Sequence, residues 1–290
     1  MTFNDWPWRH WRQRRGEALA LRLNNQPLTW RELCARVDAL ASGFAAQGVM
    51  EGQGVALRAY NQPETLLAWL ALLQCGARVL PLNPQLPAVL LQALLPALTM
   101  QHQLVLNGDT LPGNLPALTL QAAEGACAVC WHGDRLVSMT LTSGSTGLPK
   151  AAVHSANAHL ASAAGVLALM PFAAGDDWLL SLPLFHVSGQ GIVWRWLLAG
   201  ARLTVRDKQP LAQMLHGCTH ASRVPTQLWR LLNDDAAVSL KAVLLGGAGS
   251  GGPEVKFNYD VSSGVSTTFG YGGQTIYSTG YGLDPKWSGL

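Results

Sequence analysis

The residues with the strongest chemical character lie together in "SMTLTSGSTGLPKAAVHS", residues 138–155. Thr142, Ser143, Ser145 and Thr146 offer hydroxyl donors, Gly144 and Gly147 free the backbone to turn back, and Lys150 adds a mobile positive charge. Glycines let successive backbone N–H groups converge on one point, and such a nest beside a cation is a phosphate cradle. The alternative is a plain flexible turn between two strands; so dense a run of small polar residues followed by a lysine favours the cradle. The P-loop of nucleotide hydrolases is excluded, because that pattern needs Gly-Lys-Ser/Thr leading into a helix. Here Pro149 precedes Lys150, holds Leu148 in extended geometry, and is followed by strand-like "AAVH".

Other residues invite a chemical reading. Arg195 sits in "VWRWLL", on a segment that is otherwise apolar. An unpaired arginine is costly to bury. It either snorkels to solvent or forks a carboxylate. His186 follows "PLF", as a packed histidine or one facing a ligand. Asp176 and Asp177 read as a solvated turn before a strand rather than a Mg²⁺ site. Cys127 and Cys130, with His132 nearby, could be half a zinc site, but no second pair lies at ligating spacing. Haem attachment would need His where Trp131 stands, so two incidental buried thiols are expected.

These residues need elements to position them. Residues 28–49 predict a helix opened by a capping box of Thr29 and Glu32, each side chain serving a free backbone N–H. Leu33, Val37, Leu40 and Phe44 form its apolar face, and Gly48 stops it. A strand "GVALRAY", a helix "PETLLAWLALLQCG" apolar nearly all round, and a strand "ARVLPLN" follow. Further strands are expected at 103–106, 136–141 and 151–154, with a helix from about Asn157. The order continues as strand "DWLLSLP", helix "SGQGIVWRWLLAG" ended by Gly200, strand "ARLTV", helix "PLAQMLHG", strand "THASRVP", helix "TQLWRLL" and strand "LKAVLLGGA". Alternating strands and helices imply an α/β fold of mixed, largely parallel sheets flanked by helices. Ligands in such sheets sit at the carboxyl ends of strands. Both glycine clusters, residues 143–147 and Gly246–Gly247, fall there.

The chain has 290 residues, 49% of them hydrophobic and 13% charged, with a net charge of +3. That bounds a large buried core and, with no basic tract, gives no reason to expect nucleic acid. No stretch reads as a membrane span or a secretory signal. Five cysteines suggest reduced thiols in the cytoplasm.

At the level of whole motifs, "MTLTSGSTGLPKAAVHS" resembles the phosphate-binding signature of the adenylate-forming superfamily: acyl-CoA synthetases, peptide-synthetase adenylation domains and luciferases. "NQPETLLAWLALLQCGARVLPLNP", "LLSLPLFHVSGQG" and "KAVLLGGA" resemble further family segments in the right order, up to about Ala248. The Trp-rich start "DWPWRHWRQ" and "LPLFHVSGQGIVWRWLLAGAR" are similar to the family's o-succinylbenzoate–CoA ligases of menaquinone synthesis. The resemblance implies ATP, Mg²⁺ and the co-substrate CoA. A carboxylate attacks the α-phosphate to give an acyl-adenylate, and CoA then displaces AMP. It implies that Thr142, Ser143, Gly144, Ser145, Thr146, Gly147 and Lys150 grip phosphates. It implies that Gly246, Gly247 and Ala248 meet the adenine. Lys150 and His186 become the candidate catalytic residues, and Arg195, His186, Ser188 and Gly189 the acid-binding ones. No protein metal ligand is identified. Homo-oligomerisation is left open.

After Ala248 the composition changes to Gly, Ser, Thr and Tyr, without a helix-period run. Residues 1–248 read as a partial AMP-binding domain and 249–290 as a divergent tail that stays out of the core or adds weak strands. The resemblance implies a "Y-G-x-T-E" segment here; "FGYGGQT" and "TGYGLDP" both lack its glutamate. The small C-terminal domain finds no match either. The expectation is therefore a truncated ligase of impaired activity, a binding module without catalysis, or a fragment with an exposed sheet edge.

Overall fold

The computed structural model describes residues 2–142, 149–223, 240–245, 269–271 and 274–278. Helix α1 (Pro7–Arg15) leads into a hairpin of β1 (Leu19–Leu23) and β2 (Gln26–Thr29), then α2 (Trp30–Ala46). The sequence reading missed α1 and the hairpin. The hairpin has a local signal in Asn24-Asn25 between two short apolar runs, and Asn24 takes a positive φ of 55° there. Next come β3 (Gly54–Arg58), α3 (Pro63–Gln74), β4 (Arg78–Leu82), α4 (Ala88–Leu94) and β5 (His102–Val105). Then β6 (Leu136–Thr142), β7 (Lys150–Ser155), α5 (Ala156–Leu169), β8 (Asp177–Leu179), α6 (Val187–Ala199) and β9 (Arg202–Val205) follow. The described chain ends with α7 (Leu211–Met214), β10 (His220–Arg223), β11 (Ala242–Leu245), β12 (Phe269–Tyr271) and β13 (Gln274–Ser278).

Two sheets result. One has the order β5-β3-β4-β6-β7 and the other β12-β13-β11-β10-β8-β9-β1-β2. Most neighbours are parallel; β1–β2, β6–β7 and β12–β13 are antiparallel. The mixed α/β architecture expected from the alternation is present. Two corrections concern lengths: "DWLLSLP" gives a three-residue strand, and "PLAQMLHG" only the four-residue α7. The helix expected over "TQLWRLL" lies outside the described residues. In the tail, the alternative of weak added strands is the one the structure shows. β13 pairs in parallel with β11 (Ala242 with Thr275, Leu245 with Ser278), so these strands join the sheet and β11 is not an open edge.

The capping box is half as expected. Thr29 Oγ1 accepts from the Glu32 amide at 3.2 Å, but the Glu32 carboxylate accepts from the Thr29 hydroxyl at 3.1 Å rather than from a backbone amide. Helix α3 is buried at every position except Glu64, which matches its unbroken apolar sequence.

The Trp-rich start is a clamp on α6. Trp11 Nε1 donates to the Leu197 carbonyl at 2.7 Å, and Arg15 Nη1 donates to the Gly200 carbonyl at 2.8 Å. Both acceptors are end-of-helix carbonyls that α6 cannot satisfy itself. Trp196 stacks on Trp30 at 5.3 Å and donates to the Ala20 carbonyl at 2.9 Å. Gly200 ends the helix with φ 63°, and a β-carbon there would lie 2.6 Å from the Trp11 ring. Gly200→Ala is expected to cost about 2–4 kcal/mol, combining left-handed strain with overpacking. Urea denaturation measures it.

Candidate active site

Helix α6 bridges the two sheets. Its first turn packs so tightly that a β-carbon on Gly189 would collide with the carbonyls of Leu182 and Pro183. Gln190, fully buried, reaches the five-stranded sheet, with Nε2 donating to Thr140 Oγ1 at 3.0 Å and to the Leu184 carbonyl at 3.1 Å. Further along, Arg195 lies over the Trp178 ring of the eight-stranded sheet, 4.6 Å from its centroid. One helix thus touches the strand that enters the glycine-rich loop and carries a cation against the other sheet.

Arg195 is 6% exposed, which removes the snorkelling alternative. Its Nε is buried with no hydrogen-bond partner among the described residues. Burial lowers its pKa to about 10, so the guanidinium remains charged at neutral pH. A desolvated cation with donors to spare is suited to an incoming carboxylate.

His186 and Ser188 are exposed at the head of α6. His186 precedes the helix with its ring edge-on to Phe185 at 5.0 Å, so it is not a packed histidine. Asn61, which sequence reasoning missed, fastens the segment before it. Its Nδ2 donates to the Leu182 carbonyl at 2.7 Å and its Oδ1 accepts from the Leu184 amide at 3.1 Å.

At the loop, Thr142 and Lys150 face each other as the last and first residues of the antiparallel β6 and β7. Thr142 Oγ1 donates to the Lys150 carbonyl at 3.2 Å, and the Lys150 side chain is exposed. Ser143, Gly144, Ser145, Thr146 and Gly147 lie outside the described residues. So do Gly246, Gly247 and Ala248, which follow the carboxyl end of β11. Upstream on β6, Ser138 Oγ is 2.7 Å from His159 Nε2, and the His159 ring stacks on Trp194 at 5.3 Å. Burial lowers the pKa of His159 to about 4, so this ring is a neutral spacer between β6 and α6. It makes a second link from the loop strand to the helix carrying Arg195.

Two sequence readings need correction. Asp177 is no solvated turn residue: it is buried, with Oδ2 2.7 Å from Arg22 Nη2 and Oδ1 accepting from Thr204 Oγ1 at 2.6 Å. Asp176 does occupy a turn, paired with Lys241 at 2.8 Å. Cys127 is half-buried and Cys130 exposed, so the second thiol is not buried as expected. Among the described residues no group of three or more His, Cys, Asp or Glu comes together to hold a metal ion.

A family model described as AMP-binding enzyme matches residues 8–279. The chain belongs to the AMP-binding enzyme family. That match continues past residue 248, through the two strands that join the sheet. The 2-succinylbenzoate–CoA ligases of Salmonella typhimurium and Escherichia coli are each 73% identical over 248 residues, covering 86% of this chain and 54% and 55% of their own lengths. A solved structure, R195K E. coli MenE with bound OSB-AMS, superposes with a TM-score of 0.84 at 72% identity, covering 86% of this chain and 56% of that one. MenE from Bacillus subtilis in complex with ATP and magnesium ion superposes with a TM-score of 0.75 at 25% identity, covering 84% and 55%. This member of the AMP-binding family spans about half the length of the curated relatives it matches. Among the described residues, no helix is long and apolar enough to cross a membrane.

Proposed function

We propose that this chain is the nucleotide- and acid-binding part of an o-succinylbenzoate–CoA ligase. In that reaction ATP adenylates the acid with loss of pyrophosphate, and CoA displaces AMP to form the thioester of menaquinone synthesis. The observation that carries the reading is Arg195, a buried cation with no hydrogen-bond acceptor among the described residues, held on the helix that also touches the loop strand. o-Succinylbenzoate has two carboxylates. One is activated, and the other needs a buried cationic anchor. The relatives named 2-succinylbenzoate–CoA ligase support the substrate class. The E. coli MenE complex with OSB-AMS and the B. subtilis complex with ATP and magnesium ion support the ligands.

In this reading residues 142–147 and Lys150 offset the repulsion between the attacking carboxylate and the triphosphate with N–H, hydroxyl and ammonium donors. Gly246, Gly247 and Ala248 admit the adenine against the backbone. Gly189 acts by letting the head of α6 close on Leu182 and Pro183, which sets where Ser188 and His186 face the acid. The five free thiols are in keeping with a cytoplasmic protein.

A second reading, binding without catalysis, is favoured by "FGYGGQT", which lacks the family's glutamate. Two measurements separate the readings. Isothermal titration is expected to show binding of ATP and of an o-succinylbenzoyl-adenylate analogue. A pyrophosphate-release assay with o-succinylbenzoate then decides: release marks the ligase, and binding without release marks the non-catalytic module. A chain that binds neither ligand is neither.

A further inference from the structure

We propose that Trp178 is a positioning and specificity-determining residue of the acid site, seating the Arg195 guanidinium so that its N–H donors stay available for a carboxylate. This rests on the reading of Arg195 above and extends it, from which group grips the acid to what keeps that group available.

Three other arginines, the buried Arg58 and Arg206 and the half-buried Arg22, show what Arg195 avoids. Arg58 donates to the carbonyls of Asp109, Pro84 and Leu86, and Arg206 to those of Gln213 and Met214. Arg22 spends its fork on Asp177, Thr204 and Gly217. Each has guanidinium donors engaged by such acceptors, whereas Arg223, at the end of β10, is like Arg195 in being buried with donors (Nε and Nη2) unpartnered among the described residues. Arg195 is equally buried but makes no such bond among the described residues; its described partner is the indole face of Trp178 at 4.6 Å. An aromatic face attracts a cation through its quadrupole and accepts no in-plane N–H bond. It therefore offsets part of the desolvation cost while leaving the donors free.

The seat is rigid on both sides. Trp178 is fully buried, its Nε1 donates to Ser222 Oγ at 3.1 Å, and the edge of Phe172 meets it at 5.0 Å and 83°. The ring cannot turn away without breaking that bond and overlapping that neighbour. Opposite, one helical turn before Arg195, a β-carbon on Gly191 would come within 3.2 Å of Arg195 Nη1. The missing side chain at Gly191 is the space the guanidinium occupies. A glycine in mid-helix costs roughly 1 kcal/mol against alanine, so a space kept at that cost needs a use.

Isothermal titration on the full 290-residue chain tests this with three probes: AMP, an o-succinylbenzoyl-adenylate analogue, and the same analogue with its free carboxylate methylated. The preference for the acid over the ester is the readout, and AMP affinity reports an intact nucleotide site. Trp178→Leu is expected to cut the preference roughly tenfold, and Trp178→Phe about threefold, with AMP affinity unchanged. Gly191→Ala is expected to cut it while leaving Trp178 in place. If Arg195→Gln abolishes the preference but both Trp178 variants keep it, the role of Trp178 is overturned and that of Arg195 stands. If Arg195→Gln keeps the preference, or the wild-type chain binds neither analogue, both ideas fall. Should Trp178→Leu also lose AMP, Trp178→Phe and Gly191→Ala decide, and an unchanged preference in both overturns the inference.

Discussion

Arg195→Gln is expected to weaken binding of the acid by about 100-fold while leaving ATP within about twofold. The magnitude follows from removing two charge-assisted hydrogen bonds in a desolvated site, together worth about 3 kcal/mol. In a turnover assay the loss appears as a raised KM for the acid with the KM for ATP unmoved. Unchanged acid kinetics would remove Arg195 from the site. The same substitution gives an opposite sign in stability. A structural arginine leaves broken bonds behind when replaced, but Arg195 is buried with no described acceptor to lose. Glutamine removes a charge whose burial is offset only in part, by the Trp178 ring face, so the melting temperature should hold or rise, as happens when a site residue kept at a stability cost is neutralised.

The pH dependence sharpens that test. Burial lowers the Arg195 pKa to about 10, so the guanidinium is charged at all lower pH values. Acid affinity in the wild-type chain should be flat from neutral pH to about 9 and fall as pH rises through about 10. Lysine starts from a lower pKa than arginine and shifts readily when buried. Arg195→Lys should therefore lose affinity at lower pH than wild type, and it lacks the fork for two parallel bonds. Coincident profiles would mean that some other group binds the carboxylate.

How much of this was legible in the sequence depends on the range of the interaction. The capped helix α2, the all-round apolar α3 and the glycine stop of α6 are local, and their residues state them. Arg195 stood out for the same reason, as one charge in an apolar helix. Gln190, four residues after His186, carries a milder signal, an amide in place of a cation, although both are buried. Trp178 could not be found from sequence. Among eleven tryptophans nothing local distinguishes the one beneath a guanidinium, because that contact joins β8 to α6. Composition left the tail undecided between staying out of the core and adding weak strands. Gly, Ser and Tyr weaken any periodic signal, but pairing with β11 needs only backbone groups, and β13 supplies them. Asp177 failed for the opposite reason. Its neighbours Gly175 and Asp176 do form a turn, while its own partners, Arg22 and Thr204, lie 155 and 27 residues away.

Those distant partners make Asp177→Ala the variant with the largest expected cost in stability. The carboxylate is 1% exposed and is held at 2.7 Å and 3.1 Å by Arg22 and at 2.6 Å by Thr204. Arg22, Thr204 and Asp177 come from β1, β9 and β8, three adjacent strands, so one side chain ties the N-terminal hairpin to the centre of the sheet. Removing one partner of a buried pair costs about 3–5 kcal/mol, and with Arg22 half-buried the loss here is expected near the lower figure, against roughly 5–15 kcal/mol for a whole domain. Urea denaturation should show that loss, whereas a carboxylate in a solvated turn would stay within about 0.5 kcal/mol. The double variant Asp177→Leu with Arg22→Met should cost less than Asp177→Ala alone, because it leaves no stranded charge. Equal or additive losses would mean that the pair is not coupled. The substitution also reaches the proposed acid site, since Asp177 fixes the start of the strand whose next residue is Trp178. Asp177→Ala is therefore expected to lower acid preference together with stability, whereas Arg195→Gln lowers the preference alone.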